Sequence, residues 1–259
     1  TDKFKEIARA GESLPDSVLF MGVWVLGGEY ALLGAVSLSE LGAALPRSGG
    51  QTVFVRRAFG DAAGFLVGWS DWISTCASTA FISIVIGEYT GLLAPGLAAH
   101  TTTIALVCAI GFALVHLRGS RLAGDTQVVT SALKALAFLA LIGACFILGG
   151  GPRESAISTR EVAFGTALIL SLQAVIYTYD GWTGPIYFSE EITNPGREIP
   201  RAMITGVLAV TAVYLLTNAA FLYVLPIHAM AGQPLVAATA AARVFGSYGD
   251  AIIRVLTIV

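Results

Sequence analysis

Charged residues are scarce in this sequence. Only 12% of its 259 residues are charged, 56% are hydrophobic, and the formal net charge is −2. No basic surface is available for a nucleic acid, so we expect no nucleic-acid partner. A chain this apolar is typical of a polytopic helical membrane protein rather than of a soluble domain.

Cysteine and the common catalytic motifs are also scarce. Cys76, Cys108 and Cys145 lie inside apolar runs without metal-ligand spacing, which indicates small packing residues and no metal site. The run Gly149–Gly151 lacks a phosphate-binding frame, and neither a nucleophile elbow nor a zinc pattern occurs. We therefore expect no cofactor and no enzyme.

The two ends of the chain lack what a complete membrane protein shows. Residues 1–16 are polar and charged, unlike a cleavable signal peptide, and the first residue is Thr. The last apolar run is only about a dozen residues long, whereas a membrane span needs about 20. We expect an interior piece of a longer protein.

What the sequence has is long hydrophobic runs, which predict an all-α polytopic membrane protein with one transporter domain over residues 1–259. Glycines in the first run predict close helix contacts there, namely Gly27, Gly28, Gly34 and Gly42. The expected spans are 18–45, 62–93, 101–117, 125–148, 162–191 with a break near 178–185, 200–225 and a truncated 251–259, and 227–250 is expected to be an outer loop.

The arginines predict the orientation of these spans. The loop at 93–100 has no Arg or Lys, whereas the loops on the opposite side carry several. Because positively charged loops stay in the cytoplasm, we expect those loops to be cytoplasmic in a multi-pass protein of the plasma or inner membrane. The arginines concerned are Arg47, Arg56, Arg57, Arg118, Arg121, Arg197 and Arg201.

One apolar run is interrupted in a way that a plain membrane helix is not. After Tyr177, Thr178 and Tyr179 come Asp180 and Gly181, and then Gly184 and Pro185, all of which resist a helix interior. A freed backbone group in lipid costs several kcal/mol, so such a break belongs inside protein or beside a water-filled cavity. Secondary transporters build substrate sites from broken helices of this kind. Asp180 is equally well interpreted as a cap of a half-helix.

Lys134 is a cation within a predicted span. An ammonium there costs at least about 2.5 kcal/mol unless it is paired or hydrated. Its position, about nine residues into the span, is deep for a side chain that reaches back to the interface. We interpret Lys134 as an internal cation that replaces a bound metal ion, exchanges a proton or couples helices.

Two charged residues follow the broken helix at its cytoplasmic end. Glu191 and Arg197 are spaced so that they could form a gating salt bridge. A solvated cluster without a gating role fits the same pattern.

Three groups of motifs then resemble the amino acid–polyamine–organocation superfamily of permeases, nearest its L-type amino acid transporter branch. The resemblance covers nearly the whole chain. The motifs are Tyr179–Trp182, Ser189–Ile192 and Asn194–Ala202 for the sixth family helix and its loop, Ser39–Gly50 for the end of the second, and Ala58–Gly60, Gly64–Phe65 and Gly68–Trp69 for the entry to the third.

The resemblance implies a fold of two inverted five-helix repeats, of which this chain would carry about the second to the eighth helix. It implies that Tyr177 gates the site, and that Thr178, Asp180 and Gly181 meet the substrate amino group. Lys134 would take the place of a sodium ion, and Thr79 would face the pocket from the third family helix. The family's first and tenth helices, which complete the site, are not in this sequence.

These expectations lead to a secondary transporter of α-amino acids that works by alternating access without sodium, as an exchanger or a proton-coupled symporter in the lipid bilayer. An amine or polyamine transporter is the alternative in the same class. A non-transporting receptor or partner-dependent subunit, and a membrane enzyme using Lys134 with Glu29 or Asp180, are the alternatives from other classes.

Overall fold

The computed structural model describes residues 17–151, 164–230, 233, 235–246, 249 and 253. The polar residues 1–16, residues 152–163 and nearly all of the expected span 251–259 lie outside the described residues. The helices are α1 (Ser17–Ala44), α2 (Gln51–Phe59), α3 (Asp61–Leu93), α4 (Thr101–Leu117), α5 (Ser120–Leu148), α6 (Phe164–Tyr179), α7 (Gly184–Tyr187), α8 (Pro195–Val224), α9 (Ile227–Met230) and α10 (Val236–Phe245), with 3₁₀ turns at Pro95–His100 and Ser189–Glu191.

Within the described ranges, five helices are long and apolar enough to cross a membrane. Their apolar stretches reach 1.4 to 2.2 in mean hydropathy, which agrees with the character expected from composition. α6 is apolar as well, but it is shorter because the break ends it at Tyr179. The five are Ser17–Ala44, Asp61–Leu93, Pro95–Leu117, Gly124–Leu148 and Pro195–Val224.

The helix that follows the break begins earlier than the sequence pattern suggests. We expected a span from residue 200, opened by Pro200, but α8 begins at Pro195 and holds Pro200 in its interior. The reason lies in Asn194, whose carbonyl accepts hydrogen bonds from the N–H groups of Arg197 and Glu198 and so starts the helix. Pro195 fits the first helical position because it needs no N–H partner there.

Residues 227–250, expected to be a loop in which the alanine-rich 235–245 could form a short helix, contain the one-turn helix α9 and the helix α10. The α10 sequence is rich in alanine, and five of its residues are buried where it packs on α5. Small side chains therefore let this helix lie close against a membrane-length neighbour.

The chain divides into two compact units, and each is considered by itself. The break unit consists, among the described residues, of 17–74 and 164–219, and therefore holds α1, α2, the start of α3, α6, α7 and most of α8. The Lys134 unit consists of 75–151 and the described residues from 220 onward, and holds the rest of α3 with α4, α5 and α10.

In the break unit, α1 and α6 form the main helix pair. Phe20, Val23 and Trp24 on α1 are at most 1% exposed, and Val175 on α6 is fully buried. A Cβ at Gly27 would lie 2.5 Å from Val175, and one at Gly28 would lie 2.8 Å from Thr211 on α8. The prediction that these glycines permit close helix contacts is confirmed.

In the Lys134 unit, α5 packs against α4 and α10. Cys145 on α5 is fully buried, as expected for a packing cysteine. Cys76 is exposed and Cys108 is only half-buried, so these two sites are less enclosed than the sequence suggested. Phe146 contacts Tyr223 at a ring-centroid distance of 5.4 Å, which joins α5 to the end of α8.

Candidate functional site in the broken helix

The break lies between Tyr179, where α6 ends, and Gly184, where α7 begins. Residues 180–183 form a turn in which the N–H of Asp180 donates to the carbonyl of Tyr177 at 3.2 Å. Gly181 has φ of +111°, a backbone conformation that side-chain-bearing residues rarely adopt. Gly181 thus turns the chain out of α6, and Pro185 fits the start of α7.

Three of the predicted binding residues lie on the accessible side of this turn. Tyr177 is 50% exposed, and Asp180 and Gly181 are exposed too. A Cβ at Gly181 would meet nothing within 4 Å, so there is open space beside the backbone. An aromatic ring, a carboxylate and an open backbone therefore lie on the exposed side of one short stretch.

Thr178, the fourth predicted binding residue of the break, is held differently. Its side chain is fully buried, and its hydroxyl donates to the carbonyl of Ala174 at 3.0 Å. Its carbonyl accepts a hydrogen bond from the hydroxyl of Tyr214 on α8 at 3.2 Å. In this conformation the hydroxyl and the carbonyl of Thr178 both have protein partners.

Three aromatic residues surround the last turn of α6. The Tyr179 hydroxyl donates to the carbonyl of Trp24 at 3.1 Å, which ties α6 to α1. The Tyr179 and Tyr214 rings meet edge to face at a centroid distance of 5.1 Å, and Trp24 lies 5.6 Å from Tyr214. Buried tyrosines usually find such partners for their hydroxyls, and here both partners are backbone carbonyls.

Tyr187, at the end of α7, is seated on the turn before α2. Its carbonyl accepts the N–H of Gly49 at 3.4 Å, and a Cβ at Gly50 would lie 2.7 Å from its ring. The half-helix after the break is therefore linked to the turn that precedes α2.

Helix α1 fits closely against the break through two more glycines. A Cβ at Gly34 would lie 2.5 Å from the Trp182 ring, and one at Gly42 would lie 3.0 Å from Ile186. Trp182 belongs to the turn and Ile186 to α7. The glycines of α1 therefore shape the surface against which the interrupted helix is placed.

Lys134 and Thr79 belong to the Lys134 unit and are described within that unit. Lys134 lies midway along α5 with an exposed side chain, and within the described part of the chain it forms no ion pair. The exposed Thr79 hydroxyl donates to the carbonyl of Thr75 one turn earlier, at 2.8 Å. The roles assigned to these two residues stay predictions.

The predicted gate residues flank the start of α8. Glu191 ends the 3₁₀ turn after α7, and Arg197 lies in the first turn of α8. Both are exposed, and among the described residues the ion pair that is formed joins Arg56 to Asp61 rather than Glu191 to Arg197. A gate closed by Glu191 and Arg197 would thus belong to another conformation, and it too stays a prediction.

Sequence reasoning missed Tyr214 and Trp24 as parts of this region. Both lie in uninterrupted apolar helices, where an aromatic residue is ordinary and carries no motif. The only available signal was that Tyr and Trp carry a polar group that needs a partner once buried. That signal does not say which carbonyl, 36 or 155 residues away, will be the partner.

Comparison with known proteins decides the family. The family model described as amino acid permease matches residues 10–259. The chain belongs to the amino acid permease family. This agrees with the superfamily to which the motifs at 39–50 and 179–202 point, and with the all-α polytopic fold class. This permease is a multi-pass integral membrane protein of the plasma membrane.

Several curated relatives are transporters. The chain is 30% identical to the serine/threonine exchanger SteT of Bacillus subtilis over 94% of its own length and 56% of the relative's. It is 32% identical to the mouse Asc-type amino acid transporter 1 over 88% of its own length and 44% of that protein's. It is 29% identical to the human large neutral amino acids transporter small subunit 2, over 86% and 43%. This permease chain therefore spans about half the length of the curated relatives it matches.

Proposed function

We propose that this permease takes part in secondary transport of α-amino acids by alternating access. The observation that carries the proposal is the interrupted helix at 179–184 in a chain of the amino acid permease family. Half-helix ends and unwound backbone bind charged substrate groups in transporters of broken-helix design. The exposed stretch at Tyr177, Asp180 and Gly181 suits an amino acid's ammonium group.

We further propose that the transport step is exchange or proton symport without bound sodium. Support comes from Lys134, a cation midway along a membrane-length helix. In this proposal its fixed positive charge takes the place of a sodium ion. The name of one relative, a serine/threonine exchanger, favours exchange of small neutral amino acids such as serine and threonine.

A transporter needs no covalent chemistry, and we propose that this chain performs none. An amine or polyamine substrate is the second candidate, because the exposed carboxylate of Asp180 at the break would suit a second ammonium group. A receptor without transport would bind an amino acid yet fail to move it.

Counterflow in proteoliposomes separates these possibilities. The full-length protein is reconstituted, loaded with one unlabelled amino acid and exposed to a panel of labelled amino acids and polyamines, with and without sodium and a pH gradient. We expect saturable uptake of small neutral amino acids that follows the internal amino acid and does not need sodium. Uptake that requires sodium would contradict the role of Lys134, and uptake of polyamines alone would overturn the amino acid assignment.

A further inference from the structure

The last turn of a helix always has a hydrogen-bonding deficit. The final four carbonyls have no N–H partner within the helix. In α6 these are the carbonyls of residues 176–179. Away from water, each unsatisfied group costs several kcal/mol. In α6 the Tyr177 carbonyl is satisfied by the N–H of Asp180, and the Thr178 carbonyl by the hydroxyl of Tyr214.

Tyr214 is itself held in place on several sides. Its ring meets Tyr179 and Trp24 edge to face, and these two residues are 4% and 0% exposed. Tyr179 is fixed in turn by the bond from its hydroxyl to the Trp24 carbonyl. The Tyr214 hydroxyl is thus a preorganised donor aimed at one carbonyl beside the break.

We propose that Tyr214 is a positioning residue of the substrate site. By occupying the Thr178 carbonyl, it fixes the last turn of α6 and the direction in which the chain enters residues 180–183. The substrate amino group then meets the backbone of the break at positions other than Thr178. This inference rests on the proposed amino acid transport, but Tyr214 itself does not touch the substrate.

The burial of Thr178 supports this role. Its side chain is fully enclosed and bonded to Ala174, so the residue cannot rotate toward the open side of the turn without breaking that bond. Tyr177 and Asp180 on either side are exposed, and the N–H of Asp180 is bonded to the Tyr177 carbonyl. Holding Thr178 therefore sets the direction of the two exposed neighbours.

The test compares Tyr214→Phe with the matched control Tyr223→Phe in the full-length protein. Both substitutions remove one hydroxyl from α8. Tyr223 lies nine residues further along, on the opposite face of the helix, and contacts Phe146. For Tyr214→Phe we expect the KM for amino acid exchange to rise about tenfold, as for loss of one hydrogen bond, with the maximal rate per folded transporter within about twofold. A lower yield of folded protein with an unchanged KM would show a structural role only and would overturn the proposal.

A second measurement does not depend on transport. Hydrogen–deuterium exchange of the peptide covering residues 179–184 should become faster in Tyr214→Phe and stay unchanged in Tyr223→Phe. If the wild type transports no amino acid, the proposed function fails. The hydrogen–deuterium exchange rate of this peptide still decides whether Tyr214 fixes the break. Equal protection in the wild type and Tyr214→Phe would overturn the positioning role.

Discussion

Helices α1 and α4 are similarly apolar but have different surroundings. Both are long and apolar enough to cross a membrane, yet 39% of the most apolar stretch of α1 is buried, compared with 6% for the helix at Pro95–Leu117. On α1, glycines meet the side chains of α6, α8 and the break. On α4, a Cβ at Gly111 would meet nothing within 4 Å, and large apolar side chains such as Val107 and Ile110 face outward.

The difference shows that hydrophobicity alone does not distinguish a helix that packs against other helices from a helix with an exposed apolar surface. Without a hydrophobic driving force between helices in lipid, close packing depends on small residues that let backbones approach. In the break unit these small residues lie opposite the interrupted helix. We therefore expect substitutions there to change stability most, and substitutions in the Lys134 unit to change activity with less effect on stability.

The largest effect on stability should come from Gly27→Ala. The added methyl group would lie 2.5 Å from Val175 and 3.1 Å from Tyr179, so the α1–α6 contact must open. Overpacking of this kind costs about 1–3 kcal/mol. Gly111→Ala is the matched control, since it has open space and should gain up to about 1 kcal/mol from helix propensity. Thermal unfolding of both variants in detergent measures the difference. A melting temperature for Gly27→Ala at or above that of Gly111→Ala would contradict the contrast between the closely packed α1 and the exposed α4.

Gly50→Ala should have the next largest effect. Gly50 and Gly60 both have positive φ, +57° and +89°, so an alanine is strained at either position. Only at Gly50 would the methyl group also meet the Tyr187 ring, at 2.7 Å, whereas at Gly60 it meets nothing within 4 Å. We expect Gly50→Ala to lower the melting temperature more than Gly60→Ala and to reduce exchange as well. Equal losses would mean that the contact with α7 contributes little.

Lys134→Ala should reduce activity without a large loss of stability. The side chain is exposed and forms no ion pair with the residues that the structure describes, so its removal leaves no buried charge unpaired. If Lys134 supplies the charge that a sodium ion would provide, exchange in proteoliposomes should fall by about tenfold or more. Gln127→Ala, two turns earlier on the same face of α5, is the control and should retain activity. Full transport activity of Lys134→Ala would show that Lys134 has no role in the mechanism.

The smallest effects should come from Glu191 and Arg197, the pair that we propose as a gate. Glu191→Gln and Arg197→Gln remove charges that are exposed here, so each should leave the melting temperature nearly unchanged. If the two side chains pair in another conformation, each single variant should change the exchange rate by a few-fold and the double variant should be no worse than the singles. Independent, additive effects in this double-mutant cycle would argue against a gate formed by this pair.

The sequence predicted the general architecture well because membrane helices are determined by composition. Apolar runs of sufficient length predict α1 and α3, and the glycines of the first run predict that α1 packs closely without saying against which helix. The break followed from local chemistry, since Gly181, Gly184 and Pro185 disfavour a helix whatever surrounds them. The motifs then placed the chain in its family.

The sequence could not predict how the break is held. The bonds from Tyr214 to Thr178 and from Tyr179 to Trp24 join residues that are distant in the chain and have no distinguishing pattern. The burial of Thr178 could not be predicted either, because nearby Tyr177 and Asp180 are exposed and no sequence pattern separates Thr178 from them. The early start of α8 depends on the hydrogen bonds that Arg197 and Glu198 donate to the backbone carbonyl of Asn194. A hydrophobic pattern does not predict such bonds.

The central claim, that the break holds the transported amino acid, is tested most directly by protection of a cysteine at Tyr177. In full-length protein with the native cysteines replaced, Tyr177→Cys is labelled with a thiol reagent in the presence and absence of the amino acid that exchanges best. Arg57→Cys, exposed on α2, is the control. We predict that the substrate slows labelling at position 177 and leaves position 57 unchanged. Equal labelling rates at 177 with and without a saturating substrate would contradict the claim.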